Sequence, residues 1–219
     1  MCLQTRGIKG LYAITPESAD TSDLLRRVQL ALAGGARVLQ YRHKTADGAL
    51  RLTQAQALRE LTRQFSVPLI INDDVQLAAQ VNADGVHLGA SDVALATARA
   101  ALGKQKIIGV SCYNRASLAL MATEAGADYV AFGAFFPSSV KPDAAKADVA
   151  LLRRMRAELK VPLVAIGGIT VQNGAELIEA GADALAVISA LFDAADIQAA
   201  AQDFSKLFGH KSFNLDSAT

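Results

Sequence analysis

One pattern recurs four times along this chain of 219 residues and restricts what it can fold into. "GGARVLQYR" from residue 34, "NADGVHLG" from residue 82, "AGADYVAFG" around residue 126 and "AGADALAVIS" around residue 181 each join a small-residue turn to a short apolar run. Glycine or asparagine closes a helix in the left-handed conformation, and the run behind it reads as a buried strand. The copies recur at intervals of about 50 residues, the length of two strand–helix units. Four more apolar runs lie outside or between them: "GLYAIT" from 10, "VPLIIND" from 67, "KIIGVS" from 106 and "VPLVAIGG" from 161. Helical stretches predicted over 22–33, 47–65, 148–159 and 171–180 separate the runs. Continuously apolar strands are what a parallel sheet covered on both faces requires.

Eight strands alternating with helices place the chain in the α/β class, as a single (β/α)8 TIM barrel. One domain is expected over 1–219, with its core over about 10–208 and a frayed polar tail over 209–219. An open doubly wound sheet is the alternative, because periodicity does not establish closure.

The bulk properties exclude several classes. A net charge of +1 and a pI near 7.8 provide no general field for nucleic acid or an anionic membrane, so any anion must be bound locally. No apolar run approaches the roughly 18 residues of a membrane helix. The start "MCLQTRGIKG" has no apolar signal core, so a cytoplasmic location is expected. Cys2 and Cys112 form neither a disulfide framework nor a metal cluster.

In a barrel of this kind chemistry gathers at the C-terminal strand ends. "VLQYRHK" at the second strand sends Gln40, Arg42 and Lys44 to one side, and Tyr41 and His43 toward the helices. A salt-bridged strand end is the plain alternative for the two cations. "INDD" ends the third strand with Asn72, Asp73 and Asp74, and "HLGASD" puts Asp92 beyond the fourth. Two carboxylates near two cations can hold magnesium, which takes oxygen ligands and leaves places for water and phosphate. Helix capping is the alternative for Asp74 and Asp92. Ser111 ends the fifth strand, and Ser138, Ser139, Val140 and Lys141 follow the sixth. Gly168 after the seventh strand, with Ile188 and Ser189 after the eighth, suits a backbone phosphate pocket. Two anion sites on one face suit a transferase that joins two phosphorylated small molecules and releases pyrophosphate.

The set "QYRHK", "NDD", "GVHLGASD", "GVS", "FFPSSVK", "AIGGIT" and "VIS" resembles the thiamine phosphate synthase family over residues 10 to 208. The resemblance implies a magnesium-dependent coupling of hydroxymethylpyrimidine diphosphate to hydroxyethylthiazole phosphate, giving thiamine phosphate and pyrophosphate. It implies that Gln40, Tyr41, Arg42, His43, Lys44, Asn72, Ser111 and Lys141 receive the pyrimidine diphosphate. Arg42, Lys44, Ser111 and Lys141 carry the catalytic contacts in that reading. Asp73 and Asp92 would hold the metal, and Ser138, Ser139, Val140, Gly168, Ile188 and Ser189 the thiazole phosphate. Pyrophosphate would leave before the thiazole nitrogen attacks. A thiazole tautomerase of the same fold, and a non-catalytic barrel that binds a phosphorylated ligand, are the rival readings. The oligomeric state is left open.

One residue departs from the family pattern: Val140 stands where threonine is usual. A lost hydroxyl bond to a charged group costs about 1.5–3 kcal/mol. Val140→Thr is expected to lower KM for one phosphorylated substrate, and steady-state kinetics with each substrate varied checks it.

Overall fold

A computed structural model describes residues 7–89, 92–137 and 146–210. Eight parallel strands close into a barrel in sequence order. They are β1 (Gly10–Ile14), β2 (Val38–Tyr41), β3 (Leu69–Asn72), β4 (Gly85–Leu88), β5 (Ile107–Tyr113), β6 (Tyr129–Phe132), β7 (Leu163–Ile166) and β8 (Ala184–Val187). The helices are α1 (Thr21–Ala33), α2 (Gly48–Gln64), α3 (Val75–Gln80), α4 (Leu95–Leu102), α5 (Ala116–Glu124), α6 (Val149–Glu158), α7 (Val171–Glu179), α8 (Ser189–Phe192) and α9 (Ile197–Lys206). Closure is made by β1 against β8, with Tyr12 opposite Ala186, and it excludes the open doubly wound sheet. Among the described residues no helix is long and apolar enough to cross a membrane.

The four repeats fold as their turns dictate. Gly35, Asn82, Gly126 and Gly181 all have positive φ, at 105°, 50°, 90° and 113°. Glycine reaches this region freely, and asparagine tolerates it better than most residues. Two residues later, three of the four turns place an aspartate. Asp84 Oδ2 accepts from the Leu69 N–H at 2.9 Å, Asp128 Oδ2 from Ile108 at 2.7 Å and Asp183 Oδ2 from Leu163 at 2.8 Å. Each carboxylate thereby joins an even strand to the start of the odd strand before it. Each is also paired with an arginine from a preceding helix: Arg59 of α2, Arg99 of α4 and Arg156 of α6.

The side chains sort into two cores. Outward residues such as Leu11, Leu39, Leu69, Val86, Ile108 and Leu185 pack beneath the helices. Inward residues fill the lumen: Ile8, Tyr12, Ile14, Val38, Ile70, Ile107, Tyr129, Val164 and the small Ala131, Ala184 and Ala186. Gly109 of β5 also belongs to this layering, since a Cβ there would collide with the Tyr129 ring.

The Arg59–Asp84 pair is the most enclosed of the three, with side chains 14% and 11% exposed. Removing one partner of a buried pair costs about 3–5 kcal/mol, because the other charge is left unpaired. Asp84→Ala is therefore expected to lower the melting midpoint by about 6 °C or more. A calorimetric scan checks it; an unchanged midpoint would show that the aspartate does not hold the strand ends.

Candidate functional site

The alternation of β2 puts Gln40 in the lumen and Tyr41 among the helices. Gln40 is buried, and its Nε2 donates to the Tyr12 hydroxyl at 2.9 Å. Tyr41 donates to Gln54 Oε1 of α2 at 2.8 Å, and burial pushes its hydroxyl up to about 12. His43 is held by the loop around it: Nδ1 accepts from Ala46 N–H at 3.1 Å, and Nε2 lies 3.1 Å from the Ser18 carbonyl.

Beyond the strand, Arg42 Nη1 pairs with Glu17 Oε1 at 3.2 Å. Glu17, from the loop after β1, also accepts from the Thr45 hydroxyl at 2.7 Å and from the Lys44 N–H at 3.3 Å. The Thr45 bond is the largest of the contacts that hold its carboxyl below the usual range. Lys44 Nζ reaches Asp73 Oδ2 at 3.6 Å. Both cations are thus ion-paired, as the salt-bridged alternative requires, but Lys44 is paired with a residue of the expected metal pair.

Asp73 and Asp92 come together closely enough for each carboxyl to feel the other. Asp73 has a positive φ of 64°, and its N–H donates to the His87 carbonyl at 2.8 Å. Asp92 Oδ2 accepts from the Gly89 N–H at 2.5 Å and caps no helix, since α4 begins behind Ala94. Asp74 does cap α3, through Leu77 N–H at 2.9 Å. Burial first, and then the neighbouring Asp92, hold the Asp73 carboxyl above the usual carboxylate range against the pull of Lys44. A cation between the two would offset the cost that Asp92 imposes on a charged Asp73. This donor pair fits a hard divalent ion that keeps water or phosphate oxygens in its remaining positions. Among the described residues no group of three or more His, Cys, Asp or Glu forms a protein-only cage.

A chain of polar groups crosses the lumen beneath these carboxylates. From Gln40 it runs to Tyr12, whose hydroxyl is 2.8 Å from that of Tyr129. Tyr129 lies 2.9 Å from His87 Nδ1, and His87 Nε2 lies 2.8 Å from Ser111 Oγ. One direction gives both phenol protons and the ring proton an acceptor: Gln40 donates to Tyr12, Tyr12 to Tyr129, Tyr129 to Nδ1, and Nε2–H to Ser111. The serine then keeps its own O–H for a ligand. Burial raises both phenols above their ordinary range, so the tyrosines stay neutral donors.

On the far side of the face, Gly167 and Gly168 have positive φ, and a Cβ on Gly168 would collide with the carbonyls of Phe136 and Pro137. Asn173 Nδ2 of α7 donates to the Gly168 carbonyl at 3.1 Å and fixes the loop. Ile188 stands at the N-cap of the short α8, and Ser189 is its first residue. Asn72 ends β3 next to Asp73. Ser138, Ser139, Val140 and Lys141 lie outside the described residues.

The profile of the family described as "Thiamine monophosphate synthase" matches residues 11–191. A thiamine-phosphate synthase of Methylobacillus flagellatus is 61% identical over 92% of this chain and 96% of its own length. The homologous enzyme of Thiobacillus denitrificans is 55% identical over 91% and 94%. In structure, a thiamine phosphate pyrophosphorylase from Pyrococcus furiosus superimposes with a TM-score of 0.84 at 35% identity, over 93% of this chain and 97% of that one. The chain belongs to the thiamine-phosphate synthase family. It is an enzyme of the transferase class, as the resemblance implied.

Four components of this thiamine-phosphate synthase site were not singled out in the sequence: Tyr12, Glu17, His87 and Tyr129. Tyr12, Glu17 and His87 each sit one hydrogen bond from a residue singled out in the sequence, and Tyr129 joins Tyr12 to His87. Three of them follow from period-2 alternation: Tyr12, His87 and Tyr129 lie on the inward face of strands that read simply as apolar runs. Glu17 lies in a loop and carries no such signal.

The Asp73 proton has a consequence for stability. Between the ordinary carboxyl range and its raised value, the folded chain holds a proton that the unfolded chain has released. Stability therefore falls as pH rises through that window. Asp73→Asn removes this cost, and asparagine tolerates the left-handed backbone. The metal-free variant is expected to melt higher than the parent at neutral pH. The gain should vanish below the carboxylate range. A lower midpoint at neutral pH would mean that the Lys44 pair outweighs the carboxylate contact.

Proposed function

We propose that this enzyme condenses 4-amino-2-methyl-5-hydroxymethylpyrimidine diphosphate with 4-methyl-5-(2-hydroxyethyl)thiazole phosphate, with magnesium held by Asp73 and Asp92. The observation that carries this reading is the approach of those two carboxylates, with Lys44 paired to Asp73, at the C-terminal strand ends of a barrel of this family. When bound, the metal supplies positive charge to the oxygens of the departing diphosphate.

The side chains divide the remaining work. Arg42 and Lys44 neutralise charge that grows on the diphosphate as the pyrimidine carbon–oxygen bond breaks and its electron pair stays with the leaving oxygen. Glu17 holds the Arg42 guanidinium on the rim until substrate arrives. Ser111, oriented by His87, donates its proton toward the pyrimidine diphosphate, and Gln40 presents its remaining amide groups from the lumen. Asn72 borders the same substrate, and Lys141 joins it from the loop after β6. The thiazole phosphate is received by Gly168, Ile188 and Ser189, through N–H groups at the turn and the helix start, together with Ser138, Ser139 and Val140.

The thiazole nitrogen then forms the new carbon–nitrogen bond with the cationic pyrimidine methylene. That step needs no base to remove a proton from the nitrogen, which already carries a lone pair. Positioning and leaving-group stabilisation are the enzyme's contribution.

Pyrophosphate release is expected only with both substrates and magnesium present. Release without the metal would remove Asp73 and Asp92 from the proposed role. Arg42→Ala is expected to lower kcat by about a hundredfold or more, the scale of losing a transition-state contact. Its melting midpoint should move by less than about 3 °C, because the Glu17 pair sits at the rim. Normal turnover with a large loss of midpoint would make Arg42 a structural residue.

A further inference from the structure

The barrel has a second charged end that the condensation does not use. A cavity of ≈ 960 Å³ opens among the N-terminal strand ends, on the face opposite Asp73 and Asp92. Lys9, Arg37, Arg59 and Arg63 line it, with Val67, Pro68 and Phe208 as an apolar wall. This size lies within the range of small-molecule sites and is far larger than a single inorganic ion needs.

The repeat explains why positive charge accumulates there. Three turns place an aspartate ahead of the even strands, and each is neutralised by an arginine. At the equivalent position ahead of β2 the chain has Arg37. Its stem lies across the bare α-carbon of Gly10, where a Cβ would stand 3.0 Å from Arg37 Cγ. Lys9 immediately precedes β1, and Arg63 occupies the last turn of α2. All three are exposed, and among the described residues none has an ion-pair partner. Asp84 and Asp183 also border the cavity, but each is bound to its own arginine. Arg59 Nε is buried there with no hydrogen-bond partner among the described residues. Three cations without ion-pair partners among the described residues thus line one cavity of a chain whose net charge is only +1.

We propose that this N-terminal face is a second binding site, for a small molecule carrying two or more phosphate charges, held by Lys9, Arg37 and Arg63. Guanidinium groups match phosphate oxygens in paired hydrogen bonds, and a multiply charged phosphate relieves the mutual repulsion of the three cations. The site is separated from the catalytic face by the length of the barrel, so its ligand does not compete with either substrate.

The test is calorimetric titration with inorganic triphosphate at low salt, without metal. It is made on the parent, on Arg42→Ala/Lys44→Ala and on Arg37→Glu/Arg63→Glu. Triphosphate should remain bound to Arg42→Ala/Lys44→Ala. It should bind Arg37→Glu/Arg63→Glu at least about tenfold more weakly than the parent, because reversed charges repel the anion. Turnover of the charge-reversed enzyme without triphosphate should equal that of the parent, which also shows that it is folded. If that variant does not fold, Lys9→Glu should weaken binding in the same direction. Parent-like affinity in the folded charge-reversed variants, or loss of all binding in Arg42→Ala/Lys44→Ala, would overturn the proposal.

Discussion

Closure of eight parallel strands is the constraint on which everything else in this molecule depends. Once β8 pairs with β1, every second side chain points into a lumen that water does not fill, and each polar group there must find a partner within it. Gln40, Tyr12, Tyr129, His87 and Ser111 meet this demand together, as an ordered line of hydrogen bonds. Gly109 makes room for the Tyr129 ring that carries the line across. The same closure brings the strand ends into two rings, so residues distant in the chain share a face.

The two rings are balanced differently. At the N-terminal ring, aspartates at the start of β4, β6 and β8 accept a strand N–H and an arginine at once, which joins neighbouring strands and hides charge. At the C-terminal ring, like charges are pressed together. Asp73 is buried beside Asp92, and its proton affinity rises. That contact disfavours the empty fold and favours any cation able to replace the proton. Stability is thus invested in the three aspartate–arginine pairs, and the Asp73–Asp92 corner is left electrostatically unfinished, as a binding face requires.

Much of this was legible in the sequence. The left-handed caps at Gly35, Asn82, Gly126 and Gly181 mark four helix ends, and the runs behind them are β2, β4, β6 and β8. Predicted helices 22–33 and 171–180 are found as α1, Thr21–Ala33, and α7, Val171–Glu179. The pairing of Asp73 with Asp92 could be guessed only from their positions at adjacent strand ends. Their contact depends on the backbone turn at Asp73, which no local pattern announces. The lumen line was hidden for a different reason. Tyr12, His87 and Tyr129 sit in apolar runs, and a tyrosine in such a run reads as packing until closure shows which faces meet. Arg42 and Lys44 are clear at the end of β2, but their partners Glu17 and Asp73 come from other loops.

The central claim is that Asp73 and Asp92 form the cation site that receives a diphosphate. Crystals grown with manganese and pyrophosphate, measured at the manganese absorption edge, test it directly. An anomalous peak is expected beside the two carboxylates, with a pyrophosphate oxygen completing its coordination and Lys44 turned toward the anion. Manganese bound elsewhere, with no peak beside Asp73 and Asp92, would contradict it.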